Sequence, residues 1–320
     1  MEGWNPKTDW QGLHTVDENI LVLNPENGWI QNCNSTPYTS ALEFSPKKED
    51  YPYYMSKDQE NFRGVHAIGL LKDKKGYTLD SLIQLAHDPY LPAFEALIPG
   101  LIKAYYEYDD RNPKMQGAID VLMDWNFKTS KESVAMTLAH YYGTRYYQEG
   151  NYSQGMSPME RVQYWGSKSP NGEKRKIFEE VIDQLTADFG TWNIPWGEVN
   201  RYQRATADVR QQFDDIKPSI PIGFASGRWG ALAAYGARYT TEDAKKIYGT
   251  RGNSFVAVVE FGEKVKAKTV LAGGQSGDPT SIYFNDQIQP YADVQWKDAA
   301  YYKEDVLKRA EETYVPGKRK

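Results

Sequence analysis

Two short β-prone runs held between glycines, near the C-terminus, constrain this chain more than any other stretch. Gly252-Asn253-Ser254-Phe255-Val256-Ala257-Val258-Val259-Glu260-Phe261-Gly262 is β-branched and aromatic and bracketed by glycines, which predicts a strand over 255–261. A second strand is expected over 269–272, with 263–266 as the turn between them. Gly273-Gly274-Gln275-Ser276-Gly277-Asp278-Pro279 is then too glycine-rich to stay in a sheet and has to turn sharply. Any fold for this chain must therefore contain a sheet that is entered and left through tight backbone.

Taken in order, residues 1–18 are polar with scattered tryptophans and predict no element. The apolar run 20–23, the turn signal Asn24-Pro25-Glu26-Asn27-Gly28 and a returning run over 29–34 predict a hairpin with about five loop residues, stopped by Ser35-Thr36-Pro37. Residues 38–62 lack periodicity and read as loop. A helix opens at Phe62-Arg63-Gly64-Val65-His66, and Thr78 caps the next, with Leu79, Leu82, Ile83 and Leu85 on its apolar face. Residues 91–106 continue helically with an interruption expected at Ile98-Pro99-Gly100, and further helices are expected near 115–125, 130–147 and 172–189. The sum is an α+β chain, a single domain over 1–320. A helical block at about 62–190 lies between β segments at about 19–36 and 252–287. An amphipathic helix over 298–312 and a basic tail, Lys318-Arg319-Lys320, close it.

Composition narrows the function classes. A net charge of −5 argues against a nucleic-acid surface. No apolar run reaches the roughly 18–20 residues of a membrane span, and Met1-Glu2-Gly3-Trp4-Asn5-Pro6 is too polar for a signal peptide. A single cysteine, Cys33, excludes an internal disulfide. The 24 tyrosines and nine tryptophans suit either sugar-binding platforms or helices packed through aromatic side chains. His14, His66, His87 and His140 have no metal-ligand spacing, and Gly274-Gln275-Ser276-Gly277 lacks the second spacing of a nucleophile elbow. No metal and no cofactor is expected.

Three stretches resemble the penicillin acylase family of N-terminal-nucleophile amide hydrolases, specifically the C-terminal part of the β-subunit. They are the Gly-Gln-Ser-Gly-Asp-Pro run followed by Asn285-Asp286-Gln287, the pair Asn24-Pro25-Glu26-Asn27-Gly28-Trp29 and Asn32-Cys33-Asn34-Ser35-Thr36-Pro37, and Trp196-Gly197-Glu198-Val199-Asn200-Arg201. The chain departs from the family's usual pattern at Ser281-Ile282-Tyr283-Phe284, where Pro-His is common, and at Asn200, where His is common. The Asn-Cys-Asn version is similar to members that cleave long-chain acyl amides, such as acyl-homoserine lactone acylases.

The resemblance implies a four-layer αββα sandwich, of which this chain supplies some core strands and a helical arm. It implies two site residues. Asn34 corresponds to the asparagine whose side-chain NH₂ serves the oxyanion hole, and Arg63 to the arginine that orients it. Such chemistry suits an amide, because attack puts negative charge on the carbonyl oxygen and a fixed amide donor stabilises it. It also requires Ser, Thr or Cys as residue 1, whose free amine acts as base. Met1-Glu2-Gly3 does not provide that. The nucleophile is thus expected to lie with an α-subunit and the N-terminal part of a β-subunit outside this sequence. This chain alone is expected to be inactive on a small acyl-amide substrate and prone to self-association. Relatives mature in the periplasm or are secreted, which implies the same location here. The competing class is a non-catalytic binding or assembly module built on the same scaffold.

Overall fold

The computed structural model describes all residues except 1, 11, 109–111, 151, 154, 209–210, 240–243, 316 and 319–320, so Met1 and most of the basic tail lie outside the described residues. Coil and 3₁₀ turns lead into a block of α-helices from Phe62 to Val199, and the strands follow from Asn200 on. The helices are α1 (Phe62–Leu71), α2 (Leu79–Ala86), α3 (Pro92–Tyr106), α4 (Pro113–Met123), α5 (Val134–Glu149), α6 (Pro158–Ser167), α7 (Asn171–Phe189) and the single turn α8 (Trp196–Val199). Most begin where the sequence supplies a cap. Ser133 accepts from Met136 N–H, Asn112 precedes Pro113, and Ser157 with Glu160 closes a capping box ahead of Pro158. α7 stops at Gly190, whose φ of 78° only glycine adopts without strain.

Two local expectations for this block change. α3 runs through Pro99 unbroken. Its face Phe94, Leu97, Ile98 and Leu101 is fully buried, and that packing outweighs the hydrogen bond the proline deletes. α6 was not anticipated. It crosses α3 so closely that a Cβ on Gly100 would lie 1.8 Å from Gly166 O, and one on Gly166 would lie 1.8 Å from Ala96 O. The main core gathers around α3, α5 and α7, with Trp165, Trp196 and Trp229 as its largest members.

Two sheets follow. The first comprises β1 (Asn200–Tyr202), β2 (Ile220–Pro221), β3 (Tyr235–Arg238) and β4 (Ile247–Gly252), in the order β2-β1-β4-β3, with β1 and β4 parallel. The second is antiparallel, with β5 (Phe255–Glu260), β6 (Lys266–Leu271) and β7 (Lys297–Asp298) in that order. β5 and β6 are the strand pair expected from the glycine-bracketed runs. At the corner between β4 and β5, Gly252 has φ of 133° and a Cβ there would sit 2.2 Å from Ala234 O. The sheets enclose a smaller core of Ile222, Tyr235, Val270 and Tyr291, the last from the short helix α9 (Ile288–Ala292).

The hairpin expected over 19–36 does not form. These residues run as coil and turns, tied to the next segment by Gln31 N–H donating to Ser40 O at 2.9 Å. Leu21, Leu23 and Ile30 are 57%, 76% and 50% exposed. A strand holds its place by burying one face on a partner, and nothing among the described residues covers these. The closing helix shortens to α10 (Lys303–Arg309), which buries no residue.

Candidate active site

The Asn32-Cys33-Asn34 triplet sits in a tight turn against the start of α1. Asn32 Oδ1 accepts from Asn34 N–H at 2.8 Å, and Asn34 takes φ of 54°, a left-handed conformation that asparagine tolerates. Asn61, the N-cap of α1, holds this turn from the other side. Its Oδ1 accepts from Arg63 N–H and Gly64 N–H, both at 3.0 Å, while its Nδ2 donates to Cys33 O and Asn34 O, both at 3.1 Å. One side chain therefore starts the helix and clamps the triplet to it.

From the first turn of α1, Arg63 reaches across, and its Nη2 donates to Asn34 Oδ1 at 2.8 Å. Arginine has only donors, so the Asn34 atom facing it is the carbonyl oxygen, and the amide NH₂ points away. Among the described residues nothing accepts from that NH₂. The stem of Arg63 passes over Gly227, where a Cβ would lie 3.0 Å from Cδ and 3.2 Å from Nε. Gly227 opens a 3₁₀ turn (Gly227–Trp229), and His66 on α1 bonds its far end through Nδ1 to Gly230 O at 2.8 Å, with Nε2 on Asp88 Oδ1 at 3.2 Å. α1 is thus fixed on both sides of Arg63.

The surroundings are polar and incompletely paired. Burial pushes the Cys33 thiol up; Arg63 opposes the shift and Glu60 adds to it. Glu60 accepts from Asn61 N–H at 2.9 Å and from Thr39 Oγ1. Ser35 Oγ and both ends of the Gln31 side-chain amide are buried without a hydrogen-bond partner among the described residues. Buried polar atoms left unpaired are costly, typically about 1–3 kcal/mol each, and three of them lie in this one short segment. Among the described residues no three His, Cys, Asp or Glu side chains converge to hold a metal.

The structure brings Asn34 and Arg63 together; Asn61 and Gly227 were missed. Asn61 was there to be found, since an asparagine directly before a helix start is the signature of a cap. Gly227 carries no local signal, because it meets Arg63 only through the tertiary fold. The other two stretches singled out in the sequence hold structure rather than chemistry. Arg204 donates to the carbonyls of Gly274, Ser276 and Phe284 and lies over the Phe284 ring, folding the glycine-rich loop around one guanidinium. Asn200 Nδ2 donates to Ile222 O and Phe224 O at 2.8 and 3.0 Å, and Trp196 Nε1 donates to Phe224 O at 2.9 Å.

Comparison with known proteins matches residues 1–308 to the family model for penicillin amidase. Among solved structures, the thermostable penicillin G acylase from Alcaligenes faecalis, in its orthorhombic form, is similar with a TM-score of 0.51 and 14% sequence identity. The match covers 96% of this chain and 60% of that one, and at this identity it is a likeness of fold.

Proposed function

The chain belongs to the penicillin amidase family, and from that premise we propose that it is the part of a linear acyl-amide hydrolase that stabilises the oxyanion. The observation that carries this reading is the 2.8 Å bond from Arg63 to Asn34 Oδ1, which leaves the Asn34 NH₂ turned to the open side with no acceptor among the described residues. Attack on a scissile amide converts its carbonyl oxygen to an oxyanion. A donor already aimed, with no reorganisation left to do, favours that charge over the ground-state carbonyl. Arg63 contributes by preventing the amide from flipping and by placing a positive charge behind it, which polarises the N–H.

In this reading the nucleophile is an N-terminal Ser, Thr or Cys whose α-amine is the base, carried on polypeptide outside these 320 residues. The similarity of Asn32-Cys33-Asn34 to long-chain acylases favours a fatty acyl amide over an arylacetyl one. Assembly would take place in the periplasm or outside the cell, as in relatives. No helix among the described residues is long and apolar enough to cross a membrane.

The test is to purify the protein from its native source and sequence the N-termini of whatever remains bound. A partner beginning with Ser, Thr or Cys, in a complex that hydrolyses fatty-acyl amides, is the expected result. The 320-residue chain found alone and inert would overturn the hydrolase reading in favour of a non-catalytic module.

A further inference from the structure

Where the chain turns from β4 into β5 the two sheets diverge and leave an open cleft of about 940 Å³. One wall is aromatic. Tyr202, Tyr235 and Tyr291 stand with ring centroids 6.4 to 6.5 Å apart, and Phe213, stacked on Tyr248 at 4.9 Å, lines the same space. Arg238 and Arg251 also line it.

The described lining of this cleft is basic, against the net charge of the molecule. The chain has 43 acidic and 38 basic residues, yet no Asp or Glu is among the described lining residues. Neither arginine has a carboxylate within ion-pair distance among the described residues. A third guanidinium, Arg228, stands near enough to Arg251 for the like charge to help burial lower its proton affinity.

Two features of the strands aim the arginines inward. In a regular strand, residues three apart point to opposite faces, so Tyr235 and Arg238 would not share a cleft. The register shift between Gly236 and Ala237 breaks that regularity: Thr250 of β4 is the extra, unpaired residue of a β-bulge, and Tyr235 and Arg238 both line the cleft. Arg251 lies across Gly236 of the neighbouring strand, where a Cβ would meet its Cγ at 2.6 Å and its Nε at 3.1 Å. Any side chain at 236 would displace it.

We propose that this cleft binds a small organic anion, with its planar or aromatic body against Tyr202 and Tyr291 and its carboxylate or sulfonate held by Arg238 and Arg251. Guanidinium forks match planar oxyanions in shape and charge, and the cleft's size lies within the range of roughly 300–1,000 Å³ usual for ligand sites. It shares no lining residue with Asn34 and Arg63, so it stands independently of the hydrolase reading.

The probes are anilinonaphthalene sulfonate and its uncharged parent, phenylnaphthylamine, titrated into the intact protein by fluorescence and calorimetry. Arg238→Gln and Arg251→Gln should each weaken the sulfonate roughly tenfold or more while leaving the uncharged dye unchanged, and Tyr202→Ala should weaken both. Sulfonate affinity should fall as salt rises. Both arginines are exposed, so the glutamine variants should fold, which a melting curve checks. If one does melt early, the salt titration of the unaltered protein decides. Sulfonate affinity that ignores salt, or that survives the double glutamine variant, or that falls no more than that of the uncharged dye, would overturn the assignment.

Discussion

Arg63 Nη2 donates to Asn34 Oδ1 at 2.8 Å across 29 residues of sequence, and that single bond decides which end of the Asn34 amide faces the open side of the turn. Arg63 touches no reacting atom in this arrangement. In the proposed hydrolase it is a positioning residue, and its removal should act on the chemical step. Arg63→Ala is expected to lower kcat of the assembled hydrolase by about 10- to 100-fold with little change in KM. Arg63→Lys should recover only part of the loss, because an ammonium is a point charge without the planar fork. Steady-state kinetics on acyl amides measures both.

Asn61 does two jobs that substitutions can separate. Asn61→Ala removes the cap of α1 and both donors to the triplet, and should destabilise the protein by about 1–2 kcal/mol or more. Asn61→Asp keeps the capping acceptor but loses the Nδ2 donors to Cys33 O and Asn34 O. It should melt close to wild type while loosening the turn, seen as faster amide exchange at 33–35.

Two histidines give the fold an acid limit. Burial holds His87 down at about 4, and His140 at about 3 through burial and then the nearby Arg228, against 6.5 for a free imidazole. Both are therefore neutral in the folded chain at neutral pH. As pH falls through 6.5 the unfolded chain takes up protons that the folded chain refuses. Stability should thus be full above about pH 6.5 and decline steadily toward pH 4 and below. His140 Nδ1 accepts from Trp229 Nε1 at 3.2 Å and is needed neutral. His87 has neither nitrogen paired among the described residues and lies between Phe224 and Trp296 at 5.4 and 5.8 Å. His87→Phe should accordingly leave stability at pH 7.5 unchanged or higher and flatten its decline between pH 6.5 and 4.5, measured by urea unfolding.

The α3–α6 crossing tolerates no side chain. Gly166→Ala would drive a methyl into the Ala96 carbonyl, whose backbone has no room to yield. The expected loss is more than about 2 kcal/mol, against under about 1 kcal/mol for Gly69→Ala, an exposed glycine of α1 with nothing within 4 Å of its missing Cβ.

Much of this was legible in the sequence where the cause is local. The strand pair β5–β6, the cap at Thr78, and the approximate spans of α4, α5 and α7 all follow from glycine brackets, cap residues and periodicity. The juxtaposition of Asn34 and Arg63 was legible only through the motif that carries Asn34. β1, β2 and β3 were not legible, since two to four residues give no period, and β1 is fixed by parallel pairing with Ile247 and Tyr248 far along the chain. Ser157-Pro158 with Glu160 is a capping-box signature that marks the start of α6 in the sequence. The run 19–36 misled for the opposite reason. Its apolar run and turn signal are genuine, but a strand also needs a neighbour to bury against.

The most direct test of the central claim compares Asn34→Ala and Asn34→Asp with wild type in the protein purified from its native source, assayed on fatty-acyl amides. Aspartate keeps the acceptor that Arg63 holds and the tolerance for positive φ, but replaces the donor with a second acceptor. The expected result is that both variants melt within a few degrees of wild type and both lose about 10²–10³-fold in kcat, the loss typical of a missing oxyanion donor. Wild-type turnover retained by Asn34→Asp would contradict the assignment of that NH₂ to the oxyanion.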